Sequence, residues 1–188
     1  MTPPLPTCTC RRRFLQRGTL AGAGLALAAL GALGACSRRE ADSPTTPLEI
    51  SADTACELDG MLLADYPGPK AQIHRVGAKT PEFYCDTVEL FATLLRPEQV
   101  HAVAAAYVQD MGRADWERPQ GQWIDARQAL YVRGSKRRGS MGPTLASFAN
   151  EADAQRFIAQ WGGTLLRYAD IKPEMVDLSG GAKADSRM

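Results

Sequence analysis

One short segment of the sequence carries three side chains that could bind a soft metal ion. Cys56, Asp59 and Met61 place a thiol, a carboxylate and a thioether within six residues, and Gly60 can bend the backbone between them. Cysteine and methionine sulfurs together select copper(I) over zinc, magnesium or calcium, whereas carboxylates suit harder ions. The segment is therefore a candidate part of a copper(I) site.

A second soft donor lies far along the chain, in a segment rich in glycine and basic residues. Met141 stands between Ser140 and Gly142, shortly after three consecutive basic residues. Most methionines fill apolar cores, but this one has little apolar sequence around it. We therefore expect Met141 to be exposed for a purpose, and a thioether that joins a thiolate is the donor set that copper(I) prefers.

The cysteines leave an alternative open. Cys8, Cys10 and Cys36 belong to the N-terminal segment, so only Cys56 and Cys85 remain for the folded part. In an oxidising compartment two such cysteines commonly form a disulfide. No CxxC pair is present, which argues against thioredoxin-type chemistry and a structural zinc site. Because Cys85 lies where a strand meets a helix cap, we expect it to be a buried thiol and not a copper ligand.

The N-terminus has the pattern of an export signal. An arginine triplet at positions 11–13 precedes a run of small and apolar residues at 19–35, which is short for a membrane-spanning helix. Two arginines, one spacer and Phe-Leu resemble a twin-arginine signal. We predict that residues 1–35 are removed. Their four arginines exceed the formal net charge of +1, so the remaining chain is mildly acidic, which argues against nucleic-acid binding.

A lipid anchor is predicted at the end of this segment. Leu-Gly-Ala-Cys, which ends at Cys36, resembles a bacterial lipobox, in which the cysteine thiol receives diacylglycerol. Residues 36–47 are polar and are predicted to form a lipidated flexible tether, and residues 179–188 are predicted to form a disordered tail. The sequence thus predicts an exported protein held by lipid at the periplasmic side of a bacterial membrane.

Local patterns predict an α+β fold of two small strand-strand-helix-strand units, each a short sheet packed on one helix. In the first lobe, residues 48–112, extended segments at 71–76 and 81–85 precede a helix that Asp86 caps, with Glu89 as its capping-box partner. Residues 100–108 suit both a helix and a buried strand; a strand is predicted because Val and Tyr recur there.

The second lobe, residues 113–178, repeats this order. Extended segments are expected at 123–124 and 129–132, followed by a loop at 134–143 and a strand at 145–148. Asn150 caps a helix with apolar residues at helical spacing, and a last strand is expected at 164–168.

Several segments together resemble the NosL family, the copper-binding lipoproteins accessory to nitrous oxide reductase. The resemblance spans about residues 48–178 and rests on these blocks in order: CELDGMLLADYPGPKAQI, FYCDTVELF, YVQDMGRADW, WIDARQALYVRGSKRRGSMGPTLASF and EADAQRF. It implies a two-lobed α+β fold and a protein that supplies copper while the reductase is assembled. The implied partners are nitrous oxide reductase and its membrane-bound accessory complex.

The resemblance also implies a set of copper ligands. The family's copper thiolate matches Cys56, its methionine in the glycine-rich loop matches Met141, and the carboxylate three residues after the cysteine matches Asp59. Many relatives have a second cysteine in place of Asp59, and many have a histidine where this chain has Pro143, which excludes a nitrogen ligand there. Met61 and His74 are the remaining candidates for a third ligand.

Three functions from different classes follow from these features. The leading hypothesis is a copper(I) chaperone for nitrous oxide reductase. The alternatives are a thiol redox factor that uses Cys56 and Cys85 as a reducible pair, and a lipoprotein that only scaffolds the maturation complex. No nucleophile with a base, and no phosphate-binding loop, is legible in the sequence, so the protein is not predicted to be an enzyme.

Overall fold

The computed structural model describes residues 45–98, 101–176 and 178. Its main elements are β1 (Ala71–Arg75), β2 (Glu82–Tyr84), α1 (Thr87–Leu94), β3 (Val103–Gln109), β4 (Trp123–Asp125), β5 (Leu130–Gly139), β6 (Gly142–Phe148), α2 (Glu151–Trp161) and β7 (Thr164–Arg167). Short 3-10 helices lie at Leu63–Asp65, Tyr168–Asp170 and Pro173–Met175. The predicted signal at 1–35, the lipid site at Cys36, nearly all of the tether and the tail at 179–188 lie outside the described residues.

The first sheet has four antiparallel strands in the order β2-β1-β3-β4. The prediction of a strand within residues 100–108 is confirmed, since β3 pairs with β1 along its length. Trp123 and Ile124 are extended as predicted, but β4 pairs with β3 and adds a fourth strand to this sheet. Hydrogen bonds between distant segments decide this pairing, and a local sequence pattern does not contain them.

The second sheet has the order β6-β5-β7, and β5 and β6 form one long hairpin. The loop predicted at 134–143 is wrong, because β5 continues to Gly139 and β6 begins again at Gly142. The ladder is irregular between Arg133 and Arg138. This outer half of β5 is polar and mostly exposed, so it lacks the alternating apolar residues by which a strand is recognised in sequence.

Helix α1 starts at the capping box that the sequence predicts. The Asp86 side chain accepts a hydrogen bond from the Val88 amide at 2.9 Å, and the Glu89 carboxylate accepts from the Asp86 amide. Its buried residues Leu90 and Phe91 belong to the largest hydrophobic core cluster. The α1 start is therefore fixed at the edge of a packed core.

This core draws on both sheets, whereas α2 packs mainly against the second sheet. Ile73 and Val108 of the first sheet share the α1 core with Tyr131 and Leu145 of the second sheet. Phe157 of α2 belongs to a separate cluster with side chains of β5 and β6. The predicted α+β class is confirmed, and the lobe boundary at residue 112 stays a prediction. In the described part of the chain, no helix has the length and apolar character needed to cross a bilayer.

Candidate metal centre

Cys56 is held by a tight loop that precedes the first sheet. The Cys56 amide donates to the Met61 carbonyl at 2.8 Å, and the Gly60 amide donates back to the Cys56 carbonyl at 2.9 Å. Gly60 has a φ of +77°, a conformation that glycine adopts without strain. The Glu57 amide donates to the Phe83 carbonyl of β2, which ties the loop to the sheet edge. The Cys56 side chain is thereby buried beside the end of β2.

Asp59 forms the exposed side of this loop. Its Oδ1 accepts a hydrogen bond from the Met61 amide at 3.0 Å, and its Oδ2 lies 4.0 Å from the Cys85 sulfur. The turn therefore keeps the carboxylate directed at the sulfur atoms, at the boundary with solvent.

Cys85 lies between β2 and the N-cap of α1, and it is fully buried. Its thiol donates to Glu89 Oε2 at 3.1 Å, and the Cys56 thiol donates to the same oxygen at 3.2 Å. Neither cysteine forms a disulfide in the structure. One potential ligand atom from each of Cys56, Asp59, Cys85 and Glu89 lies within 4.8 Å of all the others.

Met141 reaches this cluster from the tip of the β5–β6 hairpin. Its half-buried side chain packs against a small cluster that contains Cys56, Leu63 and Cys85. The Ser140 hydroxyl donates a short hydrogen bond to the Cys85 carbonyl. Met141 therefore lies against the sulfur cluster and is not the fully exposed side chain that its polar sequence surroundings suggest.

Close backbone contacts allow the hairpin tip to lie this near. A Cβ atom added to Gly139 would stand 2.3 Å from Asp86 Oδ2, and one added to Gly68 would stand 2.6 Å from the Gly139 Cα. Real Cβ atoms essentially never approach other atoms so closely. Because these two glycines have no side chains, the hairpin tip can lie against the N-terminus of α1.

A buried lysine, Lys70, lies among several acidic groups of the centre. Lys70 Nζ donates to the Pro67 and Cys85 carbonyls, each at 3.0 Å. Burial lowers the pKa of Lys70, while Asp86 and then Cys85 act in the opposite direction. The Lys70 amino group therefore faces acidic groups that favour its protonated form, whereas its burial disfavours that form.

Burial and local hydrogen bonds shift the acidic groups as well. A hydrogen bond with Cys56, and then burial, raises the pKa of Cys85 above its ordinary range. Burial raises the pKa of Glu89, while the hydrogen bonds from the two thiols act to lower it. Glu89 Oε1 is buried and has no hydrogen-bond partner in the part of the chain that is described. The copper-free centre thus favours the protonated thiol of Cys85, whose proton a metal ion has to displace.

The structure brings together the three residues that the sequence assigned to the metal. Cys56 and Asp59 lie in the cluster, and Met141 packs against it, as does Met61. His74 lies in β1, where it hydrogen-bonds Gln72 and contacts the Tyr107 ring, and it is not part of the cluster. Whether each of these side chains binds the ion stays a prediction.

Sequence reasoning did not connect Cys85 and Glu89 with the centre. Glu89 was identified only as a capping-box residue, yet the oxygen that accepts the Asp86 amide also accepts both thiols. A usable signal was present, because Cys85 precedes the N-cap and Glu89 follows four residues later. The side chain at the Glu89 position of a capping box reaches back to the N-cap, which brings it close to the residue before the cap.

The donor chemistry of the centre fits a soft monovalent ion. Two thiols, a neighbouring thioether and two carboxylates converge around a largely buried point. Sulfur donors of this kind favour copper(I), and the neutral thioether adds affinity without adding charge. The exposed Asp59 marks the side from which an ion can enter or leave.

Comparisons with known proteins agree with one another. The family model described as NosL matches residues 47–176. The chain is 39% identical over 155 residues to the copper-binding lipoprotein NosL of Stutzerimonas stutzeri, with 80% of each chain covered. It is 39% identical over 156 residues to that of Achromobacter cycloclastes, covering 81% of this chain and 80% of the relative. The crystal structure of the copper chaperone NosL from Shewanella denitrificans superposes with a TM-score of 0.67 at 39% identity, covering 70% of this chain and 98% of that one.

Proposed function

Because the chain belongs to the NosL family, we propose that it is a copper(I) chaperone that delivers copper for the maturation of nitrous oxide reductase. The single observation that carries the proposal is the convergence of sulfur atoms. Cys56, which opens the N-terminal loop, and Met141, at the tip of a distant hairpin, pack in the same small cluster. Two separate parts of the fold thus meet at the donors that copper(I) prefers.

The proposed ligand set holds the ion and also permits its release. Cys56 provides an anionic soft donor, Met141 a neutral thioether, and Asp59 a hard carboxylate that binds copper(I) weakly. Asp59 lies on the exposed side of the cluster. A partner that offers better donors can therefore replace Asp59 first and take the ion by stepwise ligand exchange. The copper ion is the cargo of this protein, and no chemical conversion is required.

The cellular setting belongs to the same proposal. Export by the twin-arginine route and lipidation at Cys36 would hold the domain at the periplasmic side of a bacterial membrane. The names of the relatives, which call them copper-binding lipoproteins, support an anchored carrier. Nitrous oxide reductase and its membrane-bound accessory complex are the proposed partners, and a carrier of this kind is not an enzyme.

Anaerobic copper(I) titration of the reduced, detergent-extracted protein tests the proposal. We expect one copper(I) ion per chain, and Cys56→Ser should lower the affinity by roughly a hundredfold or more, since even outer-shell changes at metal sites cost tenfold to a hundredfold. Ser51→Ala, an exposed change in the turn that precedes this loop, is the control and should bind like the parent. Parent protein that binds no copper(I), or that gives none to copper-free nitrous oxide reductase, would refute the proposal.

The pair of neighbouring thiols also favours the redox alternative. Cys56 and Cys85 share one acceptor oxygen and are free in the structure. Thiol counting on copper-free protein, before and after exposure to an oxidised small disulfide, separates the two functions. Reversible loss of two thiols together with no binding of copper(I) would favour a redox factor.

A further inference from the structure

We propose that Cys85 supplies a second thiolate to the copper(I) ion, so that the ion is held by Cys56, Cys85 and Met141 while Asp59 stays outside the bonded set. This inference rests on the proposed function and revises the ligand set of that same site, because Cys85 takes the place that was given above to Asp59. From its sequence context, Cys85 was expected to be a buried thiol and not a copper ligand, and the proposal departs from that expectation. The reason lies in tertiary contacts that the sequence does not contain.

The positions of the two sulfur atoms carry the proposal. The Cys56 and Cys85 thiols donate to the same oxygen, Glu89 Oε2, at 3.2 and 3.1 Å, and the two sulfurs lie within 4.8 Å of each other. A metal–sulfur bond is about 2.3 Å long, so two sulfurs on opposite sides of one ion stand up to about 4.6 Å apart. An ion can therefore bridge the two sulfurs with little movement of the backbone.

The competing third ligand, Asp59, is chemically weaker. Asp59 Oδ1 already accepts a hydrogen bond from the Met61 amide, and its carboxylate is exposed to water. Cys85 is fully buried and offers sulfur. Because copper(I) is a soft ion, a buried thiolate exceeds a solvated carboxylate as a donor. The sulfur of Cys85 should therefore take the coordination position that Asp59 would otherwise fill.

A second buried thiolate adds negative charge, which the structure offsets. Lys70 is buried, and its ammonium donates to the carbonyl of Cys85 at 3.0 Å. Both cysteines lie within electrostatic reach of that ammonium. In a low-dielectric interior such a charge is worth more than it is at the surface. Lys70 thus stabilises the anionic complex that two thiolates form with one monovalent ion.

Loading is a ligand exchange without electron transfer. Each of the two copper–thiolate bonds replaces one sulfur–hydrogen bond, whereas the Met141 thioether binds through a lone pair and loses no proton. The two protons pass to solvent, the ligands that copper carried before are released, and copper stays in the +1 state. Glu89 gives up the two thiol hydrogen bonds but keeps the Cys85 and Asp86 amides as donors at 3.0 and 3.3 Å. The carboxylate therefore stays in place, and the start of α1 keeps its capping box.

Competition with a colorimetric copper(I) chelator tests the assignment on the reduced, detergent-extracted protein. We expect Cys85→Ser to lower copper(I) affinity roughly a hundredfold, as Cys56→Ser does, because each removes a metal ligand. Asp59→Asn should change the affinity by less than about threefold, the small effect of altering a hard donor. Thermal unfolding of the copper-free variants shows whether each one is folded.

X-ray absorption of the copper(I)-loaded parent gives a readout that needs no variant. Three sulfur scatterers support the proposal, whereas two sulfurs with one oxygen or nitrogen overturn it. If Cys85→Ser binds like the parent while Cys56→Ser does not, Cys85 is not a ligand and the chaperone function stands. If neither variant weakens binding, the proposed function fails as well.

Discussion

At the scale of single residues, Met141 is the position where a metal ligand can best be distinguished from a packing residue. It is half-buried and packs against the small cluster that contains Cys56, Leu63 and Cys85, so its side chain could serve either purpose. A thioether differs from an alkyl chain of similar size in its soft lone pairs. A substitution that keeps the volume and removes the sulfur therefore distinguishes the two roles.

Met141→Ile should weaken copper(I) binding by roughly tenfold or more, because a ligand sulfur is lost. The free energy of unfolding of the copper-free protein should change by less than about 1.5 kcal/mol, as is usual for swaps that conserve volume. Chelator competition and chemical denaturation measure the two quantities. Met111→Ile is the matched control and should leave copper affinity unchanged, because Met111 packs against the separate cluster that contains Phe157 of α2. Unchanged affinity in Met141→Ile would make Met61 the next candidate.

At the scale of elements, the β5–β6 hairpin determines whether the centre is complete. Its tip carries Ser140 and Met141 and rests on the N-terminus of α1 through Gly139. Thr144 of β6 also donates to the Asp86 carboxylate at 2.8 Å. The helix cap and the hairpin are therefore one assembly, and we expect the proposed copper site to depend on their contact.

Gly139→Ala should destabilise the protein and also weaken copper(I) binding. The added methyl group would stand 2.3 Å from Asp86 Oδ2 and 3.0 Å from Thr144 Cβ, so the tip has to move away. Overpacking of this kind costs typically about 1–3 kcal/mol. The measurements are chemical denaturation and copper(I) titration.

Gly134→Ala, in the same strand, is the control for this change. Gly134 has a φ of +77° and open space around its Cβ position. Alanine there should cost about 1 kcal/mol through backbone strain and leave copper affinity unchanged. Equal copper affinity in Gly139→Ala and the parent would show that the close approach of the hairpin is not needed for the site.

At the scale of the whole molecule, three separate segments meet at the centre. The loop around Cys56, the start of α1 and the hairpin tip contribute to it, and α1 shares a core with both sheets. The predicted lipid site, Cys36, precedes the described part of the chain. No contact among the described residues depends on it, so anchoring and copper binding should be separable.

Cys36→Ser should move the protein from the membrane to the soluble fraction without loss of its fold. The thermal unfolding temperature and the copper(I) stoichiometry should match those of the parent, because the centre lies within the described domain. Fractionation and mass spectrometry of the N-terminus are the measurements, and Cys10→Ser in the predicted signal is the control. An unmodified thiol at position 36 in membrane-extracted parent protein would contradict a lipid anchor.

The features that could be predicted from the sequence are those that depend on local interactions. The capping box of Asp86 and Glu89 and the cap at Asn150 involve residues within one helical turn, so their spacing was enough to place both helices. Cys56 and Met141 could be named from donor type and family resemblance. Strands that cross the core could also be predicted from apolar residues that reflect burial, although residues 100–108 suited a helix as well as a strand.

How these parts combine depends on contacts between segments that are distant in the sequence. Glu89 lies 33 positions after Cys56, and their contact exists because the N-terminal loop is bonded to β2 beside the start of α1. The outer half of β5 leaves the core, so no apolar pattern marks it as a strand. Cys85 resembles an ordinary buried thiol until its neighbours are known. The number of sulfur atoms that meet at the centre therefore depends on contacts between distant segments, which local sequence patterns do not encode.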